Sequence, residues 1–361
     1  MRHAIFDQKY HFFSFFNSLS GGYMRTGIID SEGKDTGVDP FMASFPHLID
    51  VGIMGHCIHG RSGLCEKAGV ACYQNGPYAE ESNMELNDFQ WIAEQCRGRT
   101  YQFALGGRGD PDQHEHFAEI LQICHENQIV PNFTTSGYRL TEELAAVCKK
   151  YCGAVAVSWY HNSYTLHAIR LLTDLGVRTN IHFVVSNKTI AEAIARLRSN
   201  DFPAGINAVV FLLYKPVGLG TQEDVISEDD TCISDFFEEL NHPHPFLIGI
   251  DSCSVPGYLK HCSYSSTLLF DTCEGARYSC YIGPDLSMTP CSFDQCGRYR
   301  LQLRPATIEE LWNDNAFDCF REHLRVACPA CSKRGLCMGG CPLMDEIVLC
   351  HQKKLLQIDT L

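Results

Sequence analysis

The sequence lacks long apolar runs, a secretion signal and an excess of positive charge, and each absence excludes a class of protein. No apolar run reaches the ~18 residues that a membrane span needs, so we expect no membrane partner. The N-terminus has no basic region followed by an aliphatic core and a small-residue cleavage site, so we expect a cytoplasmic protein. With 29 Lys and Arg against 43 Asp and Glu, the net charge of −14 argues against nonspecific nucleic-acid binding.

Cysteine is the residue that the sequence has in excess. The chain has 20 cysteines in 361 residues. Because it is long enough to build its own core and has no secretion signal, metal binding explains them better than disulfides do. Three cysteines lie in the loop Cys57–Tyr73 and twelve lie between Cys253 and Cys350. We interpret the other five as core or surface thiols: Cys96, Cys124, Cys148, Cys152 and Cys232.

Short apolar runs alternate with amphipathic stretches from His47 to about Ile250, which predicts βα units and a parallel sheet. Strands are expected at His47–Met54, Tyr101–Leu105, Ile129–Thr134, Gly153–Trp159, Arg178–Val185, Ala208–Leu213 and Phe246–Ile250. Helices are expected at Leu86–Gln95, His114–Asn127, Thr141–Tyr151, Ser163–Leu175 and Thr189–Ser199. About six units are fewer than a closed barrel has, so we expect a partial barrel. The preceding residues, 1–46, are expected to form an irregular N-terminal extension that packs on it.

Polar and glycine-rich segments follow the predicted strands, where α/β folds bind their ligands. The Cys57–Tyr73 loop leaves the first strand, and the turn Gly106–Asp110 leaves the second. Glycines there let the backbone approach a ligand closely, and Asp110 could meet an amino group. Together, the strand ends place hydroxyl, amide and aromatic groups on one rim, which suits a nucleoside-like molecule.

The C-terminal third has the strongest local motif. Cys328, Cys331, Cys337 and Cys341 have the spacing C-x2-C-x5-C-x3-C, and Cys350 follows. A two-residue gap lets two thiolates reach one metal while the amides between them bond to sulfur. The cysteines exceed the four that one zinc site needs, which favours iron–sulfur clusters. From the spacing alone, structural zinc stays open.

From about residue 47 onward, the chain resembles a radical SAM enzyme with a C-terminal SPASM domain. Four motifs carry the resemblance: the cysteine loop, GGRGDP after the second strand, LLYKPVGLG near the sixth, and CEGARYSCYIGPDLSMTPC with the C-terminal block. The chain departs from the family in two places. The usual loop has gaps of three and two residues, whereas this loop is C-x7-C-x6-C, and Leu286 stands where the family has glycine. A degenerate loop in an inactive enzyme is the alternative that these gaps leave open.

The resemblance implies a partial (β/α)6 TIM-like barrel at 47–250 and a SPASM domain at 251–361 holding two auxiliary clusters. It implies three [4Fe–4S] clusters in all, and S-adenosylmethionine. The radical-generating cluster would use Cys57, Cys65 and Cys72. The first auxiliary cluster would be held by Cys273, Cys280, Cys291 and Cys341. The second auxiliary cluster would be held by Cys328, Cys331, Cys337 and Cys350. S-adenosylmethionine would contact Gly106, Gly107, Gly109, Asp110, Ser158, Asn180, His182, Tyr214 and Tyr73.

The activity that the resemblance implies is a radical oxidation of a peptide or protein. A 5′-deoxyadenosyl radical would abstract a hydrogen from a ribosomally made peptide, giving a crosslink, a thioether or an oxidised side chain. A ferredoxin or flavodoxin would supply electrons, and Cys296 or Cys319 could donate a hydrogen. One alternative is formylglycine formation of the sulfatase-maturing type, although Ser292 stands where that type has aspartate. Another is a non-catalytic peptide-binding protein stabilised by zinc or clusters.

Overall fold

The computed structural model describes residues 2–227, 229–262 and 271–350. The last residues of the predicted C-terminal domain, 351–361, therefore lie outside the described part. Among the described residues, no helix is long and apolar enough to cross a membrane.

A large, mostly parallel sheet forms the centre of the α/β fold. Its parallel strands are neighbours in chain order, and each of the seven predicted strands is present. They are β4 (Leu48–Met54), β5 (Gln102–Gly107), β6 (Val130–Thr135), β7 (Ala154–Ser158), β8 (Thr179–Val185), β9 (Ala208–Leu213) and β10 (Leu247–Ile250). Because all seven run in one direction, the segments that follow them meet at one edge.

Helices connect these strands, and the five predicted from periodicity are present within a few residues of their expected bounds. The helices up to β10 are α1 (Leu64–Lys67), α2 (Leu86–Cys96), α3 (Phe117–Glu126), α4 (Glu142–Tyr151), α5 (Ser163–Asp174), α6 (Ile190–Ser199) and α7 (Thr231–Glu239). Thr141 caps α4, since its hydroxyl accepts from the Leu144 amide at 3.3 Å. The inward faces of these helices pack on the sheet in one core.

The N-terminal residues form a separate antiparallel sheet, so the expectation of an irregular extension was wrong. Its strands are β1 (Arg2–Asp7), β2 (Phe12–Asn17) and β3 (Gly22–Arg25), in that order. In β2, Phe12, Ser14 and Phe16 are buried while Phe13 and Phe15 are exposed, which is the alternation of a half-buried strand. The sheet packs on the main body as predicted, since the Ser14 and Tyr101 hydroxyls are 2.9 Å apart.

Three C-terminal strands extend the central sheet. They are β11 (Ser279–Ile282), β12 (Ser287–Thr289) and β13 (Leu301–Gln302). β11 pairs in parallel with β4, and the next two strands add antiparallel beyond it. The remaining helices are α8 (Val255–His261), α9 (Ile308–Trp312), α10 (Asn315–Val326) and α11 (Arg334–Cys337). The cysteine-rich region is thus joined to the parallel strands by a shared sheet.

Candidate functional site at the carboxyl edge of the sheet

Two glycine turns hold the cysteine loop that follows β4. Behind the loop, a Cβ atom added to Gly109 would lie 2.5 Å from the His56 oxygen and 3.2 Å from the Cys57 Cα. On the other side, a Cβ atom on Gly218 would overlap the carbonyl groups of Cys72 and Tyr73, and the Leu219 amide donates to the Cys72 oxygen at 3.0 Å. The turns after β5 and β9 therefore fix the two ends of the loop.

The three loop thiols lie near one another. The Gly76 amide donates to the Cys72 sulfur at 3.3 Å. A Cβ atom added to Gly76 would lie 3.1 Å from the Cys57 Cβ. The pKa of Cys65 is raised to about 11, chiefly by burial. A hydrogen bond from the Tyr160 hydroxyl lowers this pKa, and the nearby Cys72 and Cys57 sulfurs raise it. Despite gaps of seven and six residues, Cys65 is thus within electrostatic reach of both partners.

A buried histidine inside the loop faces the carboxylate of the glycine-rich turn. His59 donates from Nε2 to Asp110 Oδ2 at 3.0 Å, and Ser136 donates to the same carboxylate from its amide and its hydroxyl, at 3.0 and 2.5 Å. Burial lowers the pKa of His59, but Asp110 and the nearby Cys57 sulfur raise it to about 10. Neither His59 nor Ser136 was predicted as a site residue from the sequence. Two cues were present, a histidine two residues after the first loop cysteine and a serine just after β6.

Three further predicted cofactor contacts, Ser158, Tyr214 and Tyr73, lie at or beyond the carboxyl ends of their strands. Ser158 ends β7, and its hydroxyl bonds to Tyr160, which reaches Cys65. Tyr214 follows β9, where its hydroxyl accepts from the Thr221 amide at 2.7 Å. Tyr73 follows Cys72 in the loop itself.

The two predicted contacts on β8 are His182 and Asn180. Burial lowers the pKa of His182 to about 4, so its ring is neutral at pH 7, and it lies 3.2 Å from the Thr134 hydroxyl. Asn180 stands at the amino end of β8 and accepts from Asn207 at 2.8 Å, beside a cavity of about 300 Å³. The structure therefore does not bring Asn180 to the cysteine loop.

The four cysteines of the second auxiliary set, Cys328, Cys331, Cys337 and Cys350, line one cavity of about 240 Å³. Lys260, Lys333 and Arg334 line the same cavity, and their positive charge suits an anionic thiolate site. Backbone amides of Gly339 and Gly340 bond to the Cys337 sulfur, as amides do at iron–sulfur sites.

Three cysteines of the first auxiliary set, Cys273, Cys291 and Cys341, lie near Cys253. Cys253 hydrogen-bonds to Cys341, and its sulfur acts on the pKa of both Cys273 and Cys291. The Gly275 and Phe293 amides bond to the sulfurs of Cys273 and Cys291. Cys253 lies in a 3-10 turn, Ser252–Ser254, directly after β10. Cys253 was not predicted as a ligand from the sequence, although it follows a strand end.

Cys280 lies apart from the set to which the resemblance assigned it. In β11 it pairs opposite Ile49, and its side chain is 2% exposed on the core face. Its sulfur neighbour is Cys96 of α2. Because alternate residues of a strand point to opposite faces, spacing along the chain could not reveal this orientation.

The two candidate hydrogen donors, Cys296 and Cys319, are both exposed. Cys319 lies on α10, where the Asn315 side chain approaches its sulfur at 3.8 Å. Across the described part of the chain, no three His, Cys, Asp or Glu side chains are arranged to hold a metal ion as they stand. The fit to iron–sulfur clusters therefore rests on the donor chemistry, which is grouped thiols with backbone amides aimed at sulfur.

Solved structures share this fold, although no protein-family model matches the chain and no curated protein is similar to it in sequence. SuiB of Streptococcus suis, bound to its precursor peptide SuiA, is 13% identical, with a TM-score of 0.69 over 94% of this chain and 95% of SuiB. SuiB bound to S-adenosylmethionine is 14% identical, with a TM-score of 0.61 over 83% and 74%. The enzyme anSMEcpe, with AdoMet and the Kp18Cys peptide, is 18% identical, with a TM-score of 0.59 over 82% and 89%. The chain therefore has the fold of SuiB and anSMEcpe, which confirms the predicted α/β fold with a large, mostly parallel sheet.

Proposed function

We propose that the chain is a radical SAM enzyme that oxidatively modifies a peptide substrate. The observation that carries the proposal is the approach of Cys57, Cys65 and Cys72 at the carboxyl edge of seven parallel strands. In this proposal, residues 47–250 form a partial (β/α)6 barrel, 251–361 form the SPASM domain, and 1–46 precede them. Three thiolates with one open position suit a cluster that must also bind a small molecule.

The three loop thiolates would hold a [4Fe–4S] cluster, which supplies an electron for cleaving S-adenosylmethionine to a 5′-deoxyadenosyl radical. The chain's own residues position and shield that chemistry. Asp110, held by His59 and Ser136, offers a fixed carboxylate beside the loop. Gly109 leaves room for the loop backbone, and the Tyr214 segment closes the opposite side. A cysteine loop fixed at both ends keeps the sulfurs in position and limits the entry of water.

Two auxiliary clusters complete the proposal. The first would use Cys253, Cys273, Cys291 and Cys341, since the contacts of Cys253 support it in the place of Cys280. The second would use the four thiols that line the cavity with Lys260, Lys333 and Arg334. Such clusters take up or pass on single electrons, which a substrate radical must lose when its new bond forms. An external ferredoxin or flavodoxin would supply the electron that starts each turnover.

A peptide is the substrate class that the comparisons favour. The structure of SuiB bound to its precursor peptide aligns with 94% of this chain, and anSMEcpe binds the Kp18Cys peptide. We propose a ribosomally made peptide whose product is a crosslink, a thioether or an oxidised side chain. The formylglycine reaction remains a second possible outcome of the same chemistry.

The test compares the wild-type chain with a variant in which Cys57, Cys65 and Cys72 are all replaced by Ala. Anaerobically reconstituted wild type should absorb near about 400 nm and form 5′-deoxyadenosine when reduced with dithionite. The triple variant should form none while keeping the iron of two clusters. The control is Cys232→Ser, a change at the start of α7 outside all three sets, which should alter neither value. Zinc in place of iron, or 5′-deoxyadenosine from the triple variant, would contradict the proposal.

A further inference from the structure

A buried ion pair joins the ends of two neighbouring strands beside the first auxiliary set. Lys215 follows β9 and Asp251 follows β10, and the Lys215 Nζ pairs with Asp251 Oδ2. Their side chains are 5% and 15% exposed. Removing two charges from water is costly, and apolar residues of similar size often give equal or greater stability. The pair is therefore poorly explained by stability alone.

Asp251 is fixed by further bonds, one of which supports the turn that carries Cys253. Its Oδ2 accepts from the Leu213 amide at 3.2 Å. Its Oδ1 accepts from the Ser254 amide and hydroxyl, at 3.2 and 2.7 Å. The carboxylate thus caps the 3-10 turn Ser252–Ser254, and its position is set by the backbone of both strand ends.

Lys215 faces the first auxiliary set directly. The Nζ lies 4.8 Å from the centre of the Phe293 ring, two residues after Cys291. Burial lowers the pKa of Lys215, but Asp251, Cys253 and Cys291 raise it above the usual value, so the side chain is cationic. The Tyr73 ring, next to Cys72, also packs against Phe293, with the ring centres 4.7 Å apart. A fixed positive charge therefore stands beside Cys253 and Cys291, at the contact between the two cysteine regions.

We propose that Lys215 and Asp251 set the reduction potential of the cluster held by Cys253, Cys273, Cys291 and Cys341. The inference rests on the proposed function, because it requires a cluster at these thiols. Reduction adds one electron, taken from dithionite in the test or from the protein donor in the cell, and leaves the site more negative by one charge. The lysine stabilises that added charge and raises the potential. The aspartate opposes it and lowers the potential.

The test is a redox titration of the reconstituted protein, followed by electron paramagnetic resonance. Lys215→Met should lower the ratio of reduced to oxidised cluster at least tenfold at a fixed potential, which is a shift of 59 mV for one electron. Asp251→Asn should move the potential in the opposite direction, and the double variant should return towards wild type. Lys215→Arg keeps the charge and should keep the potential. The matched control is Lys188→Met, since Lys188 pairs with Asp224 at the surface with 63% of its side chain exposed.

Shifts in the same direction for both single variants, or an unchanged potential in Lys215→Met, would overturn the inference. If Asp251→Asn loses iron because its turn is disturbed, the comparison of Lys215→Met with Lys215→Arg still decides, because both variants keep the Asp251 carboxylate that caps the turn. The two proposals fail differently. A wild-type protein that forms no 5′-deoxyadenosine contradicts the proposed function, yet the potential of its auxiliary cluster still tests the lysine.

Discussion

The exchange of Cys253 for Cys280 gives the sharpest prediction about cluster binding. Cys253 hydrogen-bonds to Cys341 and acts on Cys273 and Cys291, whereas Cys280 is enclosed in the core beside Cys96. Cys253→Ala should therefore remove one cluster, so that iron falls from about twelve to about eight atoms per chain. Cys280→Ala should leave the iron content unchanged.

The cost of Cys280→Ala should appear in the stability of the protein instead. The side chain is 2% exposed, so its removal leaves a small void in the core beneath β11. The loss of one buried group of this size lowers the free energy of unfolding by about 1 kcal/mol. Urea denaturation of the metal-free chain measures this change, and colorimetric iron determination measures the clusters. Loss of about four iron atoms from Cys280→Ala, with none lost from Cys253→Ala, would refute the reasoning.

Three further predictions concern the loop clamp, a buried carboxyl and the N-terminal sheet. Gly33 has φ +80° and open space around it, so Gly33→Ala should lower the free energy of unfolding by ~1–2 kcal/mol in urea denaturation. Gly218 has φ +64° and also lies against the Tyr73 carbonyl, so Gly218→Ala should lower it by more. Burial raises the pKa of Asp50 from 3.8 to about 7, so the folded state binds more protons than the unfolded state between these two pH values. The stability of the wild type therefore falls as the pH rises through this window. Asp50→Asn should be stabilising at pH 8 but not at pH 4 in the same assay. The Arg25 side chain is only 8% exposed and pairs with Asp39 and Asp271, so Arg25→Ala should lower the free energy of unfolding by about 1–3 kcal/mol. Arg300 belongs to an exposed pair, so Arg300→Ala should lower it by less than about 1 kcal/mol.

Periodicity was enough to predict the parallel strands and the helices between them. The apolar runs at β4 to β10 are long and regular, so tertiary packing did not need to override local preference. The N-terminal strands were missed because their alternation is carried by aromatic residues in short segments joined by tight turns. His11 and Gly21 adopt positive φ in those turns, at 53° and 72°. A hairpin there depends on the turn conformation, which composition alone does not reveal.

The candidate site shows what a family resemblance can and cannot indicate about individual residues. The resemblance grouped the four thiols that line the second auxiliary cavity, with Cys350 in place of Cys341, the fourth cysteine of the spaced motif. It could not indicate the orientation of Cys280, which depends on the register of β11 against β4. Nor could it indicate that Asn180 lies near the amino end of β8. Strand pairing and position along the strand decide both cases, and both are tertiary properties.

The reduced protein's electron paramagnetic resonance spectrum, recorded with and without S-adenosylmethionine, tests the central claim most directly. A cluster held by only three thiolates has an iron that the cofactor can bind, so its signal should change when S-adenosylmethionine is added. The account predicts this change in wild type and its absence in the variant lacking Cys57, Cys65 and Cys72. A wild-type signal that S-adenosylmethionine leaves unchanged, or the same change in the triple variant, would contradict the assignment of the loop.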